Sequence, residues 1–416
     1  MRRYIVLLLF AVLMGGLIAG SQGPAPDDPA ELDSAALAAR QDSLDLEKRK
    51  ALSLGLEYYK NQQYNDAIPY FRRIIEEIDP DEERGWKYLA DSYLRMGQPD
   101  SAMQIYLDGI EKFPDRGYLY RGCALVLQTR ATENPEAQQE LLQDALEQYK
   151  TAYTLDKSDG FSTEQIARIY LSQALLDSAT IWFEISTQAD PDNKDVWERL
   201  ADLYMIRGNW EGVRTAYENL SRIDPSNADY ELNLGRAQAN TGDYENAVAT
   251  LNKYIENNPE DVRGYRYMGL VHSAENNYSE AMKAFSQAEK LDPQDVRLLL
   301  DMADIYVDMG QFGNATTYLN KARRIEPNNC QAIVVEGNIC VARARADVPE
   351  QGIGVREKLR FECCYEIYRK ARRADCERWS NAAKVKMDFI QQYLPTEQEK
   401  NEFFFIHPEL KGKICE

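Results

Sequence analysis

DPDNKDVWERLADLYMIRGNWEGVRTAYENLSRIDPSN, residues 190–227, holds two prolines 34 residues apart, and the interval continues through Pro191, Pro225, Pro259, Pro293 and Pro327. A fixed period of this length is the mark of a chain built from one repeated supersecondary unit. Within each period apolar residues recur at three- and four-residue spacings in two successive stretches, separated by a glycine or a polar break, so the unit is a helix pair. The first helix is expected to end near Gly97, Gly208, Gly242 or Gly310, where a residue free to take positive φ can stop it. The second is expected to end before the proline, which cannot continue a helix and restricts the residue ahead of it.

Upstream, Pro80 and Pro114 keep the same interval, and Pro114 to Pro191 is 77 residues, two periods and nine more. The polar stretch Gln128–Glu140, with Pro135 inside it, predicts that the extra nine form a lengthened turn. Lys157 then stands where the proline would be.

These residues resemble the tetratricopeptide repeat. One copy carries Trp197, Leu200, Ala201, Tyr204, Gly208 and Trp210 at the signature sites. A second carries Leu299, Met302, Ala303, Tyr306, Gly310, Phe312, Ala315, Leu319, Ala322 and Pro327. A third has Trp86, Leu89, Ala90, Tyr93, Gly97, Ala102, Tyr106 and Pro114. Weaker copies keep small residues where the helices approach, as at Gly55 with Ala67, Gly235 with Ala247 and Gly269 with Ala281. A ninth copy, 330–378, would set Gly337 against Cys364 and enlarge its inner loop at 347–354. The resemblance implies an all-α, right-handed solenoid of about nine helix pairs: eight repeats over 48–329, the cysteine-rich ninth, a capping helix at 379–394 and a tail at 395–416. Trp379–Leu394 predicts that cap, with Ala382, Val385, Phe389 and Tyr393 as its inward stripe.

The termini add a compartment. Arg2 and Arg3 precede an apolar run from Tyr4 to Ala19 that ends in small residues, the pattern of a cleaved signal peptide over 1–21, and too short for a stable membrane span. Residues 22–33 read as a Pro- and Asp-rich disordered spacer, after which Ser34 is expected to cap a leading helix, linker and helix together filling 22–47. Six of the seven cysteines lie between Cys330 and Cys415. In an exported chain this clustering predicts disulfides where the repeats lose a neighbour. Antiparallel helices of the ninth copy would pair Cys330 with Cys376 and Cys340 with Cys364, leaving Cys363 for Cys415. Cys123 reads as a buried thiol, and Asn219, Asn277 and Asn314 head glycosylation sequons.

The chain carries 68 acidic and 49 basic residues, a net charge of −19. Such a surface argues against nucleic acid or an anionic membrane as partner. No phosphate loop, metalloprotease helix or nucleophile elbow occurs, so the sequence points to no enzyme and no cofactor. The resemblance implies instead a protein or peptide partner held along the first helices of successive repeats. Carried over residue by residue, that face holds Arg84, Lys87, Asp91, Tyr118, Arg121, Glu164 and Arg168. It continues with Asp195, Glu198, Asp202, Asp229, Arg236, Arg263, Arg266, Arg297 and Asp304. Arg263, Arg266 and Arg297 would form a basic patch able to receive a carboxylate or an acidic strand. The Lys and Asn pair with which chaperone adaptors of this family hold a terminal carboxylate is absent, since Asp91, Asp202 and Asp304 stand where Asn would be needed. A second expectation is self-association into a homo-oligomer or fibre through the apolar tail residues Phe403–Ile406.

Overall fold

The computed structural model describes residues 29–373 and 377–415, and among these no residue is in a strand. The helices follow one another as pairs. In the N-terminal part these are α1 (Pro29–Lys60) with α2 (Tyr64–Arg73), α3 (Glu83–Arg95) with α4 (Pro99–Lys112), and α5 (Gly117–Glu133) with α6 (Gln138–Leu155). Next come α7 (Gly160–Ser172) and α8 (Leu176–Ala189), α9 (Lys194–Arg207) with α10 (Trp210–Ile223), and α11 (Ala228–Asn240) with α12 (Tyr244–Asn257). The last are α13 (Val262–Ala274) with α14 (Tyr278–Leu291), α15 (Val296–Asp308) with α16 (Phe312–Ile325), and α17 (Cys330–Ala346) with α18 (Val355–Arg373). Two single helices close the chain, α19 (Glu377–Gln391) and α20 (Glu397–Ile406). The chain is an all-α array of helix pairs, divided within α7 into two compact units, one up to Ile169 and the other from Tyr170 onward.

The punctuation acts at the expected places. Gly97, Gly208, Gly242 and Gly310 have φ of 70°, 67°, 83° and 71° and stop α3, α9, α11 and α15. The same left-handed turn recurs at Gln62, Ala174 and Asn276, with φ of 61°, 57° and 60°, so the period imposes the conformation even where no glycine relieves it. Helices α4, α8, α10, α12, α14 and α16 each end two residues before Pro114, Pro191, Pro225, Pro259, Pro293 and Pro327.

Within a pair, a fully buried alanine of the second helix admits the first, and a large side chain one turn later fills the gap. Ala67 with Phe71, Ala281 with Phe285 and Ala247 with Leu251 are all 0% exposed. The partner glycines have no room for a methyl group: a Cβ on Gly269 would stand 2.6 Å from Phe285, and one on Gly55 2.8 Å from Phe71. Gly337 meets Tyr368 in the same way at 2.4 Å, whereas Cys364, expected opposite Gly337, is bonded to Cys340.

Three expectations require correction. The extra nine residues near Gln128 do not make a long turn. Helices α5 and α6 have 17 and 18 residues where α3 and α4 have 13 and 14, and only 134–137 link them. One more turn on each helix keeps every new backbone group hydrogen-bonded, which a polar loop of that length would not. Ser34 is no cap, because α1 already begins at Pro29, inside the expected spacer, and runs unbroken into the first repeat. Proline suits a first helical position, where its missing N–H costs nothing. The inward stripe of α19 is Ala383, Met387 and Ile390, at 0, 4 and 1% exposure, while Val385 and Phe389 are 68 and 43% exposed. The two stripes are rival readings of one apolar helix, and the one that continues the α17–α18 core is buried.

At the C-terminal end, disulfides join Cys340 to Cys364 and Cys363 to Cys415. The expected Cys330–Cys376 pairing and the signal peptide involve residues outside those described. Helix α20 lies against α18, held by Lys358–Glu399 at 2.6 Å and by a Lys400–Glu362 pair. Its Phe405 and Ile406 remain 88 and 68% exposed.

Candidate protein-binding groove

In the unit up to Ile169, the first helices α3 and α5 touch, and the polar residues on them are bound to one another. Arg84 is held by Glu82 at 2.7 Å. Lys87 sits 4.8 Å from the Tyr88 ring and 6.0 Å from that of Tyr118. The Tyr118 hydroxyl donates to Glu83 at 3.4 Å, and hydrogen bonding from Arg116 holds that carboxyl below its usual range. Asp91 accepts from the buried Tyr106 hydroxyl, and burial raises both groups. Arg121 pairs at 3.0 Å with Asp159, whose side chain is only 3% exposed. Asp159 also accepts from the Ser162 amide and hydroxyl at 3.1 and 2.7 Å, so one carboxylate serves as counter-ion and as cap of α7. Glu164 and Arg168 pair one turn apart at 2.7 Å.

In the unit from Tyr170, α11 touches α13, α13 touches α15 and α15 touches α17, so first helices again form a continuous face. That face opens into recesses. The first, about 330 Å³, is lined by Glu198 and Asp202 of α9, Tyr217 of α10, and Asn227, Asp229, Tyr230 and Asn233 at the start of α11. Tyr230 donates its hydroxyl to Glu198. Asp195 is exposed at the first turn of α9.

The second recess, about 820 Å³, lies over α11, α13 and α15 and is bounded by Trp210, by 328–331 at the start of α17, and by Trp379 of α19. Its floor is the Arg266–Asp301 pair, 2.6 Å apart and only 16 and 12% exposed. Gln331 adds a bond to Asp301 at 3.4 Å. Arg236 stacks between two rings, 5.1 Å from Trp210 and 5.8 Å from Tyr267. Arg297 is exposed at the first turn of α15. Among the described residues no carboxylate pairs with the guanidinium of Arg236 or of Arg297. Arg263, grouped with Arg266 and Arg297 in the sequence, is occupied by Asp261 at 2.7 Å and Asp229 at 2.8 Å.

A third recess, about 770 Å³, runs between α15, α17 and α19. Asp304 accepts from Asn338 at 3.0 Å, and burial lifts its pKa to about 6. Arg345 lies 4.6 Å over the outward Phe389 ring. Sequence reasoning missed the aromatic walls of the second recess. In the sequence Trp210 is a repeat signature and Trp379 part of the cap, and only the packing of successive pairs shows that both border the same hollow.

Comparison with known proteins agrees with this architecture. The repeats define a tetratricopeptide-repeat array: a family profile described as a tetratricopeptide repeat matches residues 58–125. A profile described as the cilia and flagella-associated protein 70 C-terminal domain matches 124–357, more than half of the chain, and the chain belongs to that family. No curated protein matches. Among solved structures, a tetratricopeptide repeat protein from Parabacteroides merdae is 20% identical with a TM-score of 0.47, over 64% of this chain and 98% of its own. The C-terminal part of a repeat protein from Cytophaga hutchinsonii is 17% identical at 0.39, over 61% and 98%. YrrB, described as a TPR protein with an unusual peptide-binding site, is 19% identical at 0.34, over 45% and 97%. The fold is that of a protein-interaction scaffold.

Proposed function

We propose that this protein is an exported, non-catalytic scaffold that docks a segment of a partner protein along the first-helix face of its C-terminal unit, in assembly or secretion of envelope components. The observation that carries the reading is the set of three recesses on the helices of that unit, each bordered by residues from successive pairs. Export is supported by the basic and apolar leader at 2–19. Disulfides within the last pair and its tail suit an oxidising compartment.

The test is cross-linking from the groove in the native host. A photoreactive residue placed at Asn240, which lines the central recess, should capture a discrete partner. The same residue at Glu77, exposed just after α2 in the other unit, should not. Equal capture at both positions would sink the proposal.

A second reading is self-association through the tail, favoured by the exposure of Phe405 and Ile406. Light scattering on the mature chain with and without 396–416 separates the two. A monomer in both samples removes self-assembly, and an assembly lost on deletion supports it.

A further inference from the structure

We infer that the central recess takes a short acidic segment of the partner carrying an aromatic or apolar side chain beside its carboxylates. This rests on the groove reading above and deepens it. The spacing of the arginines is the first argument. Arg236, Arg266 and Arg297 are 30 and 31 residues apart, short of the 34-residue period by four and three. Each step along the array therefore moves one helical turn toward the N-terminal end of the next first helix. The three guanidiniums trace a diagonal across the face, the path an extended segment takes when it crosses a row of parallel helices.

Charge complementarity supplies the second argument. The recess is lined by three arginines and one carboxylate, Asp301. Asp301 is matched by Arg266 at 2.6 Å, so the hollow carries two uncompensated positive charges in a chain whose net charge is −19. That overall field repels an anion at long range. Recognition must then come from contact, through guanidinium forks that bind a carboxylate with two parallel hydrogen bonds. The walls decide what accompanies the carboxylates. Trp210 and Tyr267 already flank Arg236 within 6 Å, and flat rings of this kind stack on aromatic or apolar side chains. The neighbouring recess limits the length of the acidic run. Glu198, Asp202 and Asp229 line it and would repel carboxylates continuing in that direction.

The experiment is selection of a phage-displayed random dodecapeptide library on the immobilised full-length chain, followed by fluorescence anisotropy with the enriched peptide. Sequences with two or three Asp or Glu beside an aromatic residue should be enriched. Arg236→Glu and Arg297→Glu should each weaken the selected peptide at least tenfold, while Lys50→Glu, at an exposed position of α1 in the other unit, leaves it unchanged. Circular dichroism of each variant confirms that the helices persist. Enrichment of neutral or basic sequences that is lost in Trp210→Ala would overturn the acidic inference and leave the groove reading standing. Acidic sequences indifferent to both arginine variants, or no enrichment at all, would also overturn it. Cross-linking from Asn240 judges the groove reading independently.

Discussion

The two units use one repeat to opposite ends. On α3, α5 and α7 the first-helix face is closed on itself: Arg121 is paired with a carboxylate only 3% exposed, Arg116 holds Glu83 at 2.8 Å, and Arg168 holds Glu164. On α11, α13 and α15 the corresponding face keeps one neutral pair at its floor and, among the described residues, leaves Arg236 and Arg297 without a carboxylate. The helix pairs are alike, so architecture does not distinguish a structural face from the proposed binding one. Among the described residues, what distinguishes them is that Arg84, Arg121 and Arg168 each find a carboxylate within the fold, whereas Arg236 and Arg297 do not.

The largest effect is expected where a carboxylate is removed from an arginine of the closed face. Asp159→Ala should cost about 2–4 kcal/mol, because it removes the counter-ion of Arg121 and the cap of α7 together. Asp301→Ala should cost less, because Asp301 serves Arg266 as counter-ion without also capping a helix. Urea unfolding of each variant gives the ordering, and a larger loss at Asp301 would reverse the assignment of closed and open faces. The second variant also sharpens the comparison. It releases a third positive charge into the recess, so an acidic peptide should bind it more tightly than the parent.

A smaller effect follows from Asp304. Burial raises its folded-state pKa to about 6, above the ordinary value of 3.8 it regains on unfolding. The folded chain therefore holds the proton more tightly. The stabilisation is full below about pH 4 and disappears as pH rises through 6. Asp301 and Asp308 add to the rise and Lys386 opposes it. Asp304→Asn keeps a partner for Asn338 without a charge. Its stability, measured by denaturant titration between pH 4 and 7, should fall less steeply than that of the parent, and identical slopes would refute the assignment.

Periodicity made the pair architecture legible, because prolines and glycines act locally and mark the chain wherever they fall. It also located the candidate face, since the register of a first helix follows from its distance to the next proline. Other features lay beyond the sequence for physical reasons. The phase of α19 depended on which of two apolar stripes met the α17–α18 core, and both stripes are present in the sequence. The polar run after Gln128 suggested a loop, yet its backbone gains more by adding a turn to each flanking helix. Arg263 and Arg297 sit at equivalent places, one period apart, and look identical in sequence. Among the described residues the fold pairs the first with Asp261, two residues before it, and with Asp229 of the preceding repeat, and pairs the second with no carboxylate. Pairing across successive repeats is a long-range property that no local pattern encodes.

The mildest change tests whether the two units obey the same local rule even where their faces differ. Gln62 lies in the first unit and Ala174 in the second, and both occupy the left-handed position that Gly97 and Gly208 fill elsewhere, with φ of 61° and 57°. A side chain with a Cβ loses about 1–2 kcal/mol in that conformation, set against the greater freedom glycine brings to the unfolded chain. Gln62→Gly and Ala174→Gly should therefore each stabilise by up to about 1 kcal/mol, and Gly208→Ala should destabilise by a similar amount. Thermal unfolding of the three variants reads the effect directly. Equal gains at 62 and 174 would mean that the turn is set by the repeat itself, independent of the charges on the face beside it. A gain in one unit alone would show that the surrounding network contributes to the turn, and the separation of architecture from binding face drawn above would then fail at its simplest point.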